Sequence, residues 1–252
     1  MTVVVTFLCN DGVVVAADSM LTPSFGGISV GHHDCRKVHV LEDRQVFAYA
    51  GDPGLAARVR VIATSLEPIA GEPGALDYPL SVTRRAIEDF NATGLARDQI
   101  DINGVLAFHR DNAFQSCVFE GMFQPRLLDN DHYYAALGTG KLSADPFLRF
   151  LTGVFCVEGR PSVRQATLLA TWVVHHVIQT NPGGVAGPIQ ISTLEMRNGV
   201  VFARELNVET DIQEHMQAIQ SAGDALRDWR DTMRSGEAAG DAPAQPSLQV
   251  AP

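Results

Sequence analysis

The pattern of hydrophobic and polar residues divides the chain into alternating groups of strands and helices. Two apolar, β-branched runs at residues 3–8 and 13–17 flank an Asn-Asp-Gly turn and predict a tight β-hairpin at the start of the chain. Alternation at 36–41 and 45–50 predicts two more strands. Four strands therefore precede the first helix, and the hydroxyl residue Thr2 lies immediately before the first strand of the opening hairpin.

Helical spacing follows these strands. Leu55, Val59, Ile62 and Leu66 recur on one face, and Pro53 suits a first helical turn. The remaining pattern predicts helices at 80–90, 144–151 and 162–180, the last opened by a Ser162 cap, with strands at 102–109, 114–120, 133–137, 189–194 and 200–204. A capping box at 210–213 predicts the start of a terminal helix.

Strands and helices thus occur in blocks, whereas a doubly wound parallel fold needs single strands alternating with single helices. Blocks of this kind are typical of two stacked antiparallel sheets with helices on both outer faces. We predict an α+β fold, a four-layer αββα sandwich over residues 1–235. Residues 236–252 are rich in Gly, Ala, Pro and Gln, and we interpret them as a disordered tail.

Composition narrows the function. The formal net charge of −10 argues against a nucleic-acid partner, since phosphate binding needs clustered Lys and Arg. Four cysteines without metal-site spacing indicate reduced thiols, and we expect no metal and no cofactor. Signal-peptide and transmembrane patterns are absent from the sequence, which predicts a cytoplasmic protein without a membrane partner.

Lysine usage singles out two positions. Of the 19 basic residues only Lys37 and Lys141 are lysines. A compositional bias toward Arg explains the count, yet under that bias a surviving Lys suits a place that needs a compact ammonium group.

The stretch from Asp11 to Ser19, DGVVVAADS, together with Arg36-Lys37-Val38 and the fourteen-residue interval from Lys37 to Gly51, resembles proteasome β-subunits and the bacterial peptidase HslV. These proteins are N-terminal nucleophile hydrolases. Gly138-Thr139-Gly140 looks like the family's Gly-Ser-Gly segment, and the resemblance spans about residues 2–205. A short leader before Thr2 suits a bacterial homologue such as HslV, Anbu or the betaproteobacterial proteasome homologues.

The resemblance implies a role for each site residue. Thr2, once Met1 is removed, would be the nucleophile, and its own α-amine would accept the hydroxyl proton. Lys37 would lower the pKa of that amine, and Asp18 would orient Lys37. The N–H of Gly51 would stabilise the oxyanion, and Thr139 would help place the amine. The substrate side chain would lie near Tyr49 and Pro53.

Two departures from the family pattern concern the site. The family places an Asp near the end of the helix that precedes the turn at 181–184, and here either Gln179 or His175 occupies that position. Asp52 follows the oxyanion glycine. Its carboxylate either opposes the developing anion or points away and caps the helix that begins at Pro53.

We therefore predict a threonine-type endopeptidase that acts on peptides or unfolded protein. The resemblance implies a homo-oligomeric ring, a hexamer or heptamer that is single or stacked, and an ATP-dependent unfoldase as partner. Two alternatives stay open: a catalytically silent ring subunit, motivated by the missing Asp, and a small-molecule amidohydrolase with a closed pocket on the same fold.

Overall fold

A computed structural model describes residues 2–22, 24–25, 28–29, 31–66, 74–96, 99–181 and 184–234. Contacts divide the chain into two units, Met1–Leu206 and Asn207–Pro252. Among the described residues no helix is both long enough and apolar enough to cross a membrane. The predicted tail at 236–252 lies outside the described residues, so its disorder stays a prediction.

Fourteen strands are formed by the described residues of the first unit. They are β1 (Val4–Leu8), β2 (Gly12–Ala17), β3 (Met20–Leu21), β4 (Ser24–Phe25), β5 (Ile28–Ser29), β6 (His33–Asp34), β7 (Val38–Leu41), β8 (Gln45–Gly51), β9 (Ile102–Arg110), β10 (Ala113–Glu120), β11 (Gln124–Leu127), β12 (Tyr134–Leu137), β13 (Gln190–Arg197) and β14 (Val200–Glu205).

Ten of these strands form two antiparallel sheets of five. The first sheet has the order β12-β1-β2-β13-β14, and the second has the order β11-β10-β9-β8-β7. In the first sheet Val5 pairs with Ala16 across the predicted opening hairpin, and Ala17 pairs with Gln190 on the other side of β2. In the second sheet Ala48 lies between Val38 and Val105.

The helices of the first unit cover the outer faces of the sheets. They are α1 (Pro53–Ser65), α2 (Asp77–Ala92), α3 (Lys141–Phe155) and α4 (Val163–Thr180). The second sheet is covered by α1 and α2, and the first sheet by α3 and α4. The predicted α+β αββα sandwich with two stacked antiparallel sheets is therefore confirmed.

Successive side chains along each strand point to opposite faces of its sheet, and this alternation produces two separate cores. In β8, Val46, Ala48 and Ala50 point into the core between the sheets, while Phe47 and Tyr49 point into the core beneath α1 and α2. Both faces of the central strands are thus buried, which explains why β1, β2 and β8 are almost wholly apolar.

Three local features differ from the sequence interpretation. The segment after Ser19, predicted as a loop, contains the short antiparallel pairs β3 with β6 and β4 with β5. Strand β11, which pairs with β10, carries Pro125 and was not predicted. Before the terminal helix the backbone makes a π-helical turn at Val208–Ile212 capped by Asn207, where a capping box at Thr210 was expected.

The described part of the second unit consists of that π-helical turn followed by α5 (Gln213–Arg234). Its apolar residues recur at helical spacing, as the sequence predicts. They are Met216, Ile219, Leu226, Trp229 and Met233.

A buried polar contact joins the two sheets. The hydroxyls of Thr6 on β1 and Ser116 on β10 lie 2.9 Å apart, and both residues are fully buried. A lone buried hydroxyl costs about 1–3 kcal/mol, whereas removing both partners is nearly neutral.

We therefore expect Ser116→Ala alone to lower the free energy of unfolding by about 1–3 kcal/mol. Adding Thr6→Val should recover part of that loss, because no unpaired hydroxyl then remains. Urea denaturation of the two single variants and the double variant measures this coupling. Strictly additive single effects would contradict the contact.

Candidate active site

A buried ion pair forms the centre of the candidate site. Lys37 Nζ lies 2.9 Å from both carboxylate oxygens of Asp18, and their side chains are 1% and 0% exposed. Asp18 follows β2, and Lys37 immediately precedes β7, so the pair joins the first sheet to the second. Buried charges persist only when they are paired and hydrogen-bonded.

The remaining hydrogen bonds of Asp18 fix its carboxylate. Its Oδ1 accepts from the Val3 N–H at 3.0 Å, and its Oδ2 accepts from the Met20 N–H at 3.0 Å. Each oxygen thus accepts one backbone N–H besides the Lys37 ammonium, which leaves the carboxylate little freedom to rotate.

Thr2 lies next to this pair. Lys37 Nζ donates to Thr2 Oγ1 at 2.9 Å and to the Met20 carbonyl at 2.6 Å. The three ammonium hydrogens are therefore shared among four oxygen acceptors, including both oxygens of Asp18. The structure brings together Thr2, Asp18 and Lys37, as the sequence predicts.

Glycines allow a close approach between Thr2 and the chain before α3. At Gly138 φ is +82°, and an added Cβ would lie 2.3 Å from the Thr2 carbonyl oxygen and 3.1 Å from Ala50 Cβ. Gly140 donates its N–H to that carbonyl at 3.0 Å. Between them Thr139 Oγ1 accepts from the Thr2 N–H at 3.1 Å, so the predicted Thr139 reaches the backbone nitrogen of Thr2.

Gly51 is the last residue of β8. The residue before it, Ala50, lies next to Gly138, because an added Cβ at Gly138 would lie 3.1 Å from Ala50 Cβ. At Gly51 φ is +111°, and an added Cβ would lie 2.3 Å from the Asp101 carbonyl oxygen. Only glycine fits this backbone. The question over Asp52 is also answered, because its Oδ1 accepts from the Leu55 N–H at 2.8 Å and caps α1.

Burial controls the electrostatics of the pair. Burial lowers the pKa of Lys37, and the Asp18 carboxylate opposes that shift. Burial likewise raises the pKa of Asp18, opposed by the Lys37 charge and by the N–H groups of Val3 and Met20. Deprotonation of Lys37 and protonation of Asp18 therefore each cost less free energy than they would for the same side chain alone in water.

The end of α4 carries no acidic side chain. Gln179 is exposed, and His176 stacks on Phe147 with 4.2 Å between ring centroids. His175 is half-buried, and burial lowers its pKa. The α4 side chain beside Gly140 is Val177, whose Cγ1 would lie 3.0 Å from an added Cβ there. An apolar group thus occupies the α4 position next to the Thr2 segment.

The two residues predicted to bind substrate lie on either side of Gly51. Tyr49 is 4% exposed, and its hydroxyl lies 3.1 Å from Cys35 Sγ. Its ring is stacked with that of His39 at 6.2 Å, and burial raises its pKa above the ordinary tyrosine value. Pro53 is the first residue of α1 and is exposed.

Two contacts escaped the sequence interpretation. The Met20 carbonyl makes the shortest hydrogen bond of the Lys37 ammonium, at 2.6 Å. A sequence pattern does not show which backbone carbonyl will accept such a bond. Gln190 bonds the backbone of the Lys37 segment. Its position as a polar residue at the start of an apolar strand was the available signal.

Comparison with solved structures shows a likeness of fold. No family model and no curated protein matches the chain. The solved structure of an Anbu (Gly-1) mutant from Hyphomicrobium sp. strain MC1 matches with a TM-score of 0.69, covering 90% of this chain and 96% of that one. The two sequences are 18% identical, so the likeness shows the fold alone. That fold is the proteasome-like N-terminal nucleophile hydrolase sandwich.

This finding corrects the resemblance drawn from the first fifty residues. The motifs pointed to proteasome β-subunits and HslV, whereas the similar structure is an Anbu protein and no family model matches. The attribution to proteasome β-subunits and HslV was wrong. The short motifs report the strand and turn geometry that proteins of this fold share, and that geometry does not separate one group from another.

The ion pair predicts a pH-dependent stability defect in Lys37→Met. This variant leaves the Asp18 carboxylate buried without its cation, which costs about 3–5 kcal/mol at neutral pH. Without Lys37, burial raises the pKa of Asp18 further above its unfolded value, so protonation of Asp18 stabilises the folded variant at low pH. The defect should therefore be largest near pH 7 and should shrink as the pH falls toward 4.

Urea denaturation of both proteins between pH 4 and pH 8 measures the defect. The double variant Lys37→Met with Asp18→Asn serves as control, because it removes the unpaired buried carboxylate and should show a smaller defect than Lys37→Met near pH 7. A defect of constant size in Lys37→Met would contradict the assignment.

Proposed function

We propose that this chain is a threonine-type peptidase that uses Thr2 as nucleophile after removal of Met1. The observation that carries the proposal is the contact between Lys37 Nζ and Thr2 Oγ1 at 2.9 Å, held by the buried Asp18. A hydroxyl with a fixed ammonium donor at this distance is stabilised as it becomes negative.

The chemistry follows from the groups around Thr2. Thr2 Oγ attacks the carbonyl carbon of a substrate amide, and its proton passes to the neutral α-amine of the same residue. The C=O π bond opens, and the Gly51 N–H donates to the oxyanion. The C–N bond then breaks, and the α-ammonium returns the proton to the departing amine. Water, deprotonated by the α-amine, then adds to the carbonyl carbon of the Thr2 ester. The bond from that carbon to Thr2 Oγ1 breaks, the α-ammonium returns the proton to Oγ1, and the acid is released.

This mechanism requires a free amine at Thr2. A free α-amine titrates near about 8, so a substantial fraction is neutral at cytosolic pH, and the nearby Lys37 charge lowers that pKa further. While Met1 is attached the same nitrogen is an amide and accepts no proton. Thr139 Oγ1 already lies 3.1 Å from it, which supports a role for Thr139 in placing the amine.

We further propose Tyr49 and Pro53 as the residues that contact the substrate side chain next to the cleaved bond. They lie two residues before and two after Gly51, so they flank the proposed oxyanion donor. The ring of Tyr49, held by Cys35 and His39, would form the floor of the pocket. The exposed Pro53 would form its rim.

Assembly and location are part of the same proposal. We propose that the chain works in the cytoplasm as a homo-oligomeric ring on peptides or unfolded protein, supplied by an ATP-dependent unfoldase. Native mass spectrometry of the full chain tests the ring, and a monomer at micromolar concentration would contradict it.

The second candidate is a catalytically silent subunit. It is favoured by the apolar Val177 and the exposed Gln179 at the end of α4, because α4 offers no carboxylate near Gly140. Intact mass separates the two candidates, because a purified protein that retains Met1 has no free amine at Thr2 and cannot use this mechanism.

The nucleophile is tested by substitution of Thr2. Thr2→Ala should lower kcat on a fluorogenic peptide by at least about 10³-fold, because no hydroxyl remains to attack. A β-lactone should add its acyl group to the wild-type protein at residue 2, located by peptide mass spectrometry. Thr2→Ser keeps a hydroxyl and should retain labelling at a reduced rate. Equal labelling of Thr2→Ala would contradict the proposal.

The pocket is tested at Tyr49. Tyr49→Leu removes the phenol and deepens the proposed pocket while keeping an apolar side chain beneath α1. The ratio of kcat/KM for a bulky over a small residue before the cleaved bond should rise by about 10-fold. A peptide pair that differs at that residue alone measures the ratio, and Pro125→Ala on the remote β11 is the control. An unchanged ratio would remove Tyr49 from the pocket.

A further inference from the structure

A single amide side chain clamps the backbone around Lys37. Gln190 Oε1 accepts from the Lys37 N–H at 2.8 Å and from the Val38 N–H at 3.2 Å. Gln190 Nε2 donates to the Cys35 carbonyl at 2.7 Å. Three hydrogen bonds from one side chain thus hold three residues, Cys35, Lys37 and Val38, of one short segment.

These bonds cross between the sheets. Gln190 begins β13 of the first sheet and pairs with Ala17, the residue immediately before Asp18. Lys37 belongs to the segment that leads into β7 of the second sheet, where its carbonyl accepts from the Tyr49 N–H at 3.3 Å. The backbone of Lys37 is therefore held by one sheet through its N–H and by the other through its carbonyl.

We propose that Gln190 is a positioning residue, which sets the Lys37 backbone so that its ammonium reaches Thr2 Oγ1 and Asp18 together. This inference rests on the proposed function of Thr2. Lys37 has a long flexible stem, and its four acceptors lie between 2.6 and 2.9 Å away. A site of this kind needs its groups held within about 0.5 Å, which the side chain alone does not secure.

The chemistry of the clamp specifies an amide. The segment presents two N–H donors and one carbonyl acceptor to the same side chain, and glutamine offers both an acceptor and a donor. A glutamate at this position would keep the two acceptor bonds and lose the bond to the Cys35 carbonyl. A methionine would fill a similar volume and keep none of the three.

Another polar contact on this segment is a weaker restraint. Arg36 pairs with Glu205 on β14, but the two side chains are 53% and 47% exposed. Exposed ion pairs contribute about 0–1 kcal/mol and are screened by salt. The part-buried amide of Gln190 is therefore the stronger link between the first sheet and the Lys37 segment.

The experiment compares Gln190→Met with Gln124→Met in the full chain after Met1 removal. Gln124 is an exposed residue of β11, so its substitution makes the same chemical change away from the site. The first-order rate of acylation of Thr2 by a β-lactone should fall by about 10- to 100-fold in Gln190→Met, with the half-saturating concentration unchanged. Gln190→Glu, which keeps two bonds, should fall between, and Gln124→Met should react like the wild type.

A second readout is independent of activity. Because Lys37 and Lys141 are the two lysines of the chain, ¹³Cε-lysine labelling gives two signals, and Lys141→Arg assigns them. In the wild type Lys37 should titrate below an ordinary lysine, since burial lowers its pKa while Asp18 and Cys35 oppose the shift. In Gln190→Met the ammonium should move toward water, and its pKa should rise toward the ordinary value.

The outcomes separate cleanly. A slower acylation together with a shifted Lys37 titration supports the positioning role. A folded Gln190→Met with the wild-type titration overturns it, whatever the rate of acylation. If the wild type is not acylated but the Lys37 pKa shifts in Gln190→Met, the positioning of Lys37 by Gln190 is supported and the proposed function fails. Should Gln190→Met fail to fold, the same titration criterion applies to Gln190→Leu, which also keeps none of the three bonds and adds no charge beside Lys37.

Discussion

The structure depends on one buried ion pair, formed by Asp18 just after β2 of the first sheet and Lys37 just before β7 of the second sheet. A lysine and an aspartate removed from water are tolerated only when every donor and acceptor is satisfied. Here Lys37 and Asp18 meet that condition with the help of two backbone N–H groups and one backbone carbonyl. The hydroxyl of Thr2 completes the set, so the same bonds that make the pair tolerable also place the proposed nucleophile.

The sandwich provides the rigidity that this arrangement needs. Thr2 lies two residues before β1, a strand buried on both faces, so its position is fixed by its neighbours. Gly138 and Gly140 bring the segment before α3 against the carbonyl of Thr2, because a side chain at either position would collide with its neighbours. Backbone contacts therefore hold the residue on both sides, and the hydroxyl is left to face Lys37.

The hydroxyl and the nitrogen of Thr2 have different surroundings. The hydroxyl of Thr2 accepts from the Lys37 ammonium of the ion pair, and its nitrogen donates to the Thr139 hydroxyl. The α4 side chain beside Gly140 is the apolar Val177. Helix α4 carries no carboxylate near its end, where Gln179 is exposed and His175 is half-buried. The proton-accepting half of the proposed mechanism is therefore the part on which the proposed activity depends. The fold is independent of that question.

By itself, the sequence determined the layers, and the resemblance of its motifs indicated Thr2, Asp18, Lys37 and Thr139, which the structure brings together. Period-two alternation and short turns are local properties, and they decide which residues form strands and which faces are buried. Only the tertiary structure decided how the group is connected. The Met20 carbonyl is a backbone acceptor, which every residue carries and no sequence pattern distinguishes. The side-chain amide of Gln190 bonds backbone groups of the Lys37 segment, which is 153 residues away in the chain, so the sequence does not show that partner. The helix cap at Asp52 was likewise settled only when the direction of its side chain was known.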